Sequence, residues 1–244
     1  MKHRSTTVLF FFVTLSLASG NFVRAQSRAD LLHELQAKRV ELQQLETEFL
    51  APSVEDRSSY AAFLSQADTG LIRLLPRERF DSESYRQNKQ TLAMRGGGAY
   101  YSFSRLAHEY GAGSDLELDS GYLSVGFAGA NYGMLANLGD LSLDQVSLEY
   151  PSVRFLVSYE PPSKELNARQ EATQFSQGFT VDQIRYQARL PVVVNNSYVV
   201  RSIDYSTSDL LVAFRVVRQD SDGSIVILWK LLKKYPTPAL ARAN

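Results

Sequence analysis

The chain has 244 residues, no cysteine, and 26 acidic against 26 basic side chains. The absence of cysteine excludes disulfides, thiolate nucleophiles and cysteine-based zinc sites. Because basic residues do not outnumber acidic ones, we do not expect the chain to bind nucleic acid independently of sequence.

The first 25 residues have the layout of a secretory signal peptide. Lys2 and Arg4 form a basic start, the apolar run 8–17 follows, and small residues lead to Ala25. The run is shorter than the roughly 20 apolar residues that a spanning helix needs. Cleavage after Ala25 would leave 219 residues with a net charge of −3 and no transmembrane span. Because a secreted domain without disulfides suits a bacterial periplasm, we expect an exported envelope protein that is periplasmic or extracellular.

Residues 27–50 predict an amphipathic helix, which Ser27 or Asp30 can cap. Its apolar residues recur at steps of three and four, and Lys38 takes the remaining position of the stripe. The stripe consists of Leu31, Leu35, Leu42, Leu45 and Phe49. A stripe of about three heptads packs on its own domain or forms a short coiled coil that makes a homodimer; a flexible tether is the third interpretation. The helix is the candidate surface for a protein partner.

Ala51-Pro52 ends this helix, and residues 55–68 predict a second, shorter one. The charged and amide-rich stretch 77–91 reads as an exposed connection or an irregular helix.

The middle of the chain combines glycine with aromatic residues, since ten of the 14 glycines lie between Gly96 and Gly139. This composition predicts short strands and tight turns over 99–106, 115–118, 122–128 and 133–138. Its tyrosines could line a ligand groove, although core packing is the ordinary role of such residues. The candidate groove residues are Tyr100, Tyr101, Tyr110 and Tyr122.

One histidine has catalytic side-chain types near it in sequence. His108 precedes Glu109 and lies seven residues before Asp115, and serines 102 and 104 are close by. A general base needs a nucleophile within hydrogen-bonding reach and usually a carboxylate behind it, so these residues are the candidates for a hydrolase. The ordinary alternative is a histidine that is hydrogen-bonded to a loop carbonyl.

No cofactor and no metal site is predicted. Glycines 96–98 lack the lysine and Ser/Thr of a phosphate-binding loop. Asp115, Glu117 and Asp119 alternate along a predicted strand and could bind calcium, but a solvated strand edge is the usual explanation of such a pattern.

The last third predicts a β-meander. Residues 153–159 read as a strand and 163–175 as a helix, and four β-like runs follow over 183–190, 197–205, 209–219 and 224–234. Asp222-Gly223 is a strong hairpin signal, and short connections make neighbouring strands antiparallel. The run 209–219 is apolar on both faces, so we expect the N-terminal helices to cover one face and the glycine–aromatic strands the other.

These patterns together predict an α+β fold, with an N-terminal helical segment (26–75), a mainly antiparallel β domain (92–235) that curls or forms a sandwich, and a disordered tail (236–244). The leading functional hypothesis is a non-enzymatic exported protein that binds a partner or ligand. The alternatives are a hydrolase that uses His108 and a carrier of a small apolar molecule.

Overall fold

A computed structural model describes residues 27–83, 90–127, 129–205 and 207–241. The predicted signal peptide therefore lies outside the described residues. The chain divides into two compact units, Met1–Glu41 and Leu42–Asn244. The described part of the first unit is a single stretch of helix, and all the strands belong to the second.

The helices follow the predicted pattern in most of the chain. They are α1 (Arg28–Leu50), α2 (Val54–Ser59), α3 (Ala61–Leu64), α4 (Arg77–Phe80), α5 (Pro151–Ser158) and α6 (Glu165–Gln177), with a 3-10 turn at Leu143–Gln145. Ser53 and Asp56 form a capping box at the start of α2, because each side chain accepts a hydrogen bond from the other's backbone N–H. None of the helices among the described residues has the length and apolarity that crossing a membrane requires.

A five-stranded antiparallel sheet forms the centre of the second unit. Its strands, in spatial order, are β1 (Thr69–Leu74), β11 (Ile225–Lys234), β10 (Ser208–Gln219), β9 (Ser197–Asp204) and β5 (Tyr132–Gly139). The predicted meander is confirmed for its last three strands, which are neighbours in the sheet. The predicted α+β class with antiparallel sheet is confirmed as well.

Shorter strands build a second sheet and a hairpin. The four-stranded sheet consists of β2 (Tyr100–Tyr101), β3 (Leu116–Asp119), β4 (Tyr122–Ser124) and β8 (Arg189–Pro191), and the hairpin of β6 (Phe179–Val181) and β7 (Ile184–Tyr186). Apolar side chains of the two sheets, among them Leu118, Val200 and Phe214, form one buried cluster between them. The glycine–aromatic region thus covers one face of the large sheet, as expected.

The other face of the large sheet, here called the outer face, has a different cover from the one expected. Helices α5 and α6 supply most of it through residues such as Val153, Leu156 and Phe175. Of the N-terminal helices, α2 and α3 contribute Tyr60, Phe63 and Leu64 at its margin.

Two further predictions differ from the structure. Residues 153–159 form most of α5 rather than a strand, because Pro151 suits the first turn of a helix and the spacing of Val153 and Leu156 puts both on the buried side. The predicted strand 99–106 is reduced to β2, since the chain turns between Ser102 and Ala107, whose backbones bond to each other. In the predicted disordered tail, the Ala241 N–H donates to the Ser163 carbonyl oxygen at 2.6 Å.

The C-terminal half of α1 is anchored by a glycine loop. Glu46 is buried and its carboxylate accepts hydrogen bonds from the N–H groups of Ala93 (2.6 Å) and Met94 (3.1 Å). Leu50 packs one turn further along. The loop approaches its surroundings closely enough to need glycine: a Cβ on Gly97 would lie 2.3 Å from the Phe80 carbonyl carbon, and φ there is +59°.

A buried ion pair joins the outer face to α5. Arg201 on β9 and Asp209 on β10 are diagonal neighbours with both side chains 1% exposed, and two N–H···O bonds of 2.8 Å connect them. Arg201 also donates to the carbonyl oxygens of Leu156 and Tyr159, and its guanidinium lies 3.6 Å from the ring centroid of Tyr235. The last carbonyls of a helix have no partner inside the helix, and this arginine supplies one.

We expect Asp209→Asn to lower the free energy of unfolding by about 3 kcal/mol, because it leaves a buried guanidinium without its counter-charge. Urea denaturation followed by Trp229 fluorescence measures the loss. Glu165→Gln is the matched control, since the Glu165–Arg169 pair on α6 is exposed and worth less than about 1 kcal/mol. An equal decrease in the free energy of unfolding in the two variants would contradict the expected contribution of the buried pair to stability.

Candidate functional site

His108 lies against the edge of the large sheet. Its Nε2 is 2.8 Å from the backbone oxygen of Arg73 on β1, and its ring packs edge-on against Tyr101 at 5.4 Å between centroids. A carbonyl oxygen only accepts, so Nε2 carries the proton and donates. Burial lowers the pKa of His108, because the surroundings disfavour an imidazolium. His108 is therefore hydrogen-bonded to a backbone carbonyl, as in the ordinary interpretation, but that carbonyl belongs to strand β1 and not to a loop.

The two predicted carboxylate partners of His108 have other roles. Glu109 forms an ion pair with Arg105. Asp115 is buried and accepts hydrogen bonds from the N–H of Phe103 (2.7 Å) and of Ser104 (3.4 Å), so it stabilises the turn after β2. Within the described chain, no hydrogen bond or ion pair links His108, Glu109 and Asp115 to one another.

The other carboxylates of β3 are also paired. Glu117 is buried and 3.1 Å from Arg77, while Asp119 lies 3.6 Å from Arg189. Burial raises the pKa of Glu117, and the Arg77 charge opposes that rise. The described residues contain no group of three or more His, Asp or Glu side chains able to hold a metal ion.

The four candidate groove tyrosines do not share a surface. Tyr100 and Tyr101 are consecutive on β2, so their side chains lie on opposite faces. Tyr100 packs edge-on against Tyr110 at 4.9 Å, and Tyr101 lies in the core between the sheets, where burial raises its pKa to about 12. Tyr122 is exposed on β4 beneath the guanidinium of Arg189. The structure therefore joins only Tyr100 and Tyr110.

A groove of about 600 Å³ lies elsewhere, over the outer face of the large sheet. Its volume is in the range of small-molecule sites, but its wall is mixed: Tyr60, Phe63 and Leu228 provide apolar surface, and Asp140, Asp144 and Arg215 provide charge. Arg215 already pairs with Asp140 at 2.5 Å. The sequence contained no signal for this groove, because its residues come from five separate stretches of the chain.

A second, smaller cavity of about 310 Å³ lies between α5 and the β6–β7 hairpin. Phe155, Ile184 and Tyr186 give it apolar walls, and Arg154 and Asp182 lie at its border. Neither cavity contains a residue of the predicted catalytic or tyrosine sites.

The predicted partner helix has the largest set of exposed apolar side chains. Every residue from 27 to 45 is exposed, and burial begins at Glu46. The five stripe residues named above are between 42% and 57% exposed. Lys38, within the stripe, forms an ion pair with Glu41 at 2.9 Å. Leu32 borders the stripe, whereas Val40, 55% exposed, lies on the opposite side of the helix.

Comparisons with family models, with curated proteins and with solved structures give no significant match to this chain. Its function has to be inferred from its own residues.

We expect His108→Gln to change the pH dependence of stability in a defined direction. A lowered pKa in the folded state means that the unfolded chain binds a proton more readily, so the free energy of unfolding falls as pH drops below about 6.5. The stability advantage of the native chain over the variant should therefore shrink between pH 7.5 and 5, as measured by urea denaturation at one protein concentration. His33→Gln, at an exposed position of α1, is the control. An advantage that grows toward low pH would show that His108 is charged in the fold.

Proposed function

We propose that this chain is an exported, non-enzymatic binding module that associates with a second copy of itself through helix α1. The observation that carries this proposal is the exposed stripe of Leu31, Leu35, Leu42, Leu45 and Phe49 on one side of the helix. Its export rests on the signal-peptide pattern of residues 1–25.

The physical argument concerns water. Burying a leucine or phenylalanine side chain stabilises by about 1.5–3 kcal/mol, and here five such side chains in one line remain between 42% and 57% exposed. A contiguous exposed apolar surface marks an interaction site more often than chance placement does. A second copy offers the same stripe, and mutual burial would also support a helix that is otherwise marginal in water.

The two alternatives have less support from the contacts. A hydrolase would need His108 to act together with a carboxylate, but its Nε2 donates to a backbone carbonyl, and Glu109 and Asp115 bind other groups. An apolar carrier would need an apolar cavity, but the groove over the large sheet has three charged residues in its wall.

The mature chain, residues 26–244, should sediment as a dimer that dissociates on dilution. Leu35→Glu combined with Leu42→Glu should give a monomer over a concentration series up to about 100 µM, because four carboxylates would face each other in the pair. Val40→Glu is the control: it also replaces an exposed apolar side chain of α1 with a glutamate, but off the stripe, and should remain a dimer. Glutamate is a good helix former, so circular dichroism should show unchanged helix content. A native chain that is monomeric throughout the series would overturn the proposal.

Replacement of Lys38 with leucine completes the apolar stripe. We expect Lys38→Leu to tighten association by about tenfold or more, because each copy then buries an aliphatic side chain in place of an ammonium group. Gln36→Leu adds the same side chain on the outer side of the helix and should leave the dissociation constant unchanged. Sedimentation equilibrium compares the two, and an equal effect would mean that the seam lies elsewhere.

A further inference from the structure

We infer that the two copies of α1 pair in parallel and in register, as a two-stranded coiled coil. The inference rests on the proposed self-association and adds the orientation of the partner. The stripe recurs every 3.5 residues, which is the repeat of a left-handed coiled coil rather than of a helix packed on a globular core. In heptad notation, positions a are residues 35, 42 and 49, and positions d are residues 31, 38 and 45.

The charges that flank the stripe distinguish the two orientations. The three g positions, which follow the stripe on one side, are all acidic: Glu34, Glu41 and Glu48. The e positions on the other side are Leu32, Arg39 and Glu46. In parallel pairs a g residue faces the e residue five positions later in the partner, whereas in antiparallel pairs g faces g and e faces e.

In an antiparallel pair, every g–g or e–e contact between two charged residues would join like charges. With residues 31 and 49 opposed, Glu34 would face Glu48, Glu41 would face its own copy, and Arg39 would face its own copy. Like charges in such positions destabilise the pair. The Glu34–Glu48 contact occurs twice in the pair and the other two occur once each, so the antiparallel arrangement has four repulsive contacts. None of its contacts between charged e or g residues is attractive.

A parallel pair gives two attractive contacts, Glu34 of each copy with Arg39 of the other. The remaining charged contact would be Glu41 with Glu46, but Glu46 is buried against its own loop and held by the N–H groups of Ala93 and Met94. The Lys38 ammonium groups approach each other in the parallel seam. Each is paired with Glu41 of its own helix, and a long lysine stem lets the charge reach water in a two-stranded pair.

A single introduced cysteine tests the orientation, because the native chain has none. In a parallel in-register pair, Leu31→Cys faces its own copy within disulfide reach. In the antiparallel pair the two positions would be about 27 Å apart, since 18 residues rise 1.5 Å each. We expect Leu31→Cys to form disulfide-linked dimers under mild oxidation on a non-reducing gel. Val40→Cys, at a more exposed position on the opposite side of the helix, controls for random collision and should stay unlinked.

A mixture of the Leu31→Cys and Phe49→Cys variants tests for the antiparallel pair, in which these two positions would face each other. Mixed dimers in excess of self-linked ones would show antiparallel pairing and overturn the inference. Sedimentation of the same variants before oxidation separates the two proposals: a dimer with the antiparallel linkage pattern refutes only the orientation, and a monomer refutes the association itself.

A charge reversal gives an independent check without cysteine. Arg39→Glu replaces two attractions with two repulsions in the parallel pair, so the dissociation constant should rise roughly tenfold. In the antiparallel pair it only exchanges one like-charge contact for another, and the constant should stay nearly unchanged. Combining Arg39→Glu with Glu34→Arg should restore parallel association, and no restoration would overturn the proposed contact.

Discussion

The position of helix α5 on the large sheet depends on the ion pair and the hydrogen bonds of one buried side chain, Arg201. A guanidinium out of water costs several kcal/mol unless its nitrogens have acceptors, and here Asp209 and the carbonyls of Leu156 and Tyr159 accept four hydrogen bonds from the three nitrogens. Arg201 lies on β9, its acceptors lie on β10 and at the end of α5, and α5 is distant from both strands in sequence. The hydrogen bonds of one side chain therefore hold the end of a helix against a sheet. The hydroxyl of Tyr235 adds to this by donating to the Val157 carbonyl at 3.1 Å.

Where a local pattern decided the structure, the sequence was sufficient to predict it. The meander follows from Asp222-Gly223 and from short connections, and α1 follows from capping residues and helical spacing. Residues 153–159 show the limit, because a mostly apolar stretch of seven residues is compatible with either a strand or a helix. The outcome there depends on Pro151 and on the acceptors that Arg201 requires, and an arginine 45 residues away has no visible link to this run in the sequence.

The residues of the predicted catalytic and tyrosine sites do not lie together in the structure, and the reason is related. His108, Glu109 and Asp115 are neighbours in sequence, but each binds a different group: the backbone of Arg73, the side chain of Arg105 four residues away, and the turn at 102–104. Nearness in sequence is a weak guide to a catalytic set, since backbone groups compete for the same polar side chains. Tyr100 and Tyr101 separated because consecutive residues of a strand face opposite ways, which the sequence alone could have indicated.

In helix α1 as well, contacts with residues distant in sequence determine which side of the helix is exposed to solvent. Glu46 lies beside the stripe, and its two hydrogen bonds to the loop at 93–94 fix the rotation of the helix about its own axis. That loop keeps its path only where Gly97 allows the backbone to approach Phe80. A change at Gly97 would therefore alter the direction in which Leu42, Leu45 and Phe49 point, although it touches none of them. The binding surface that we propose is thus set by a glycine in the β-rich unit as much as by the leucines that form it.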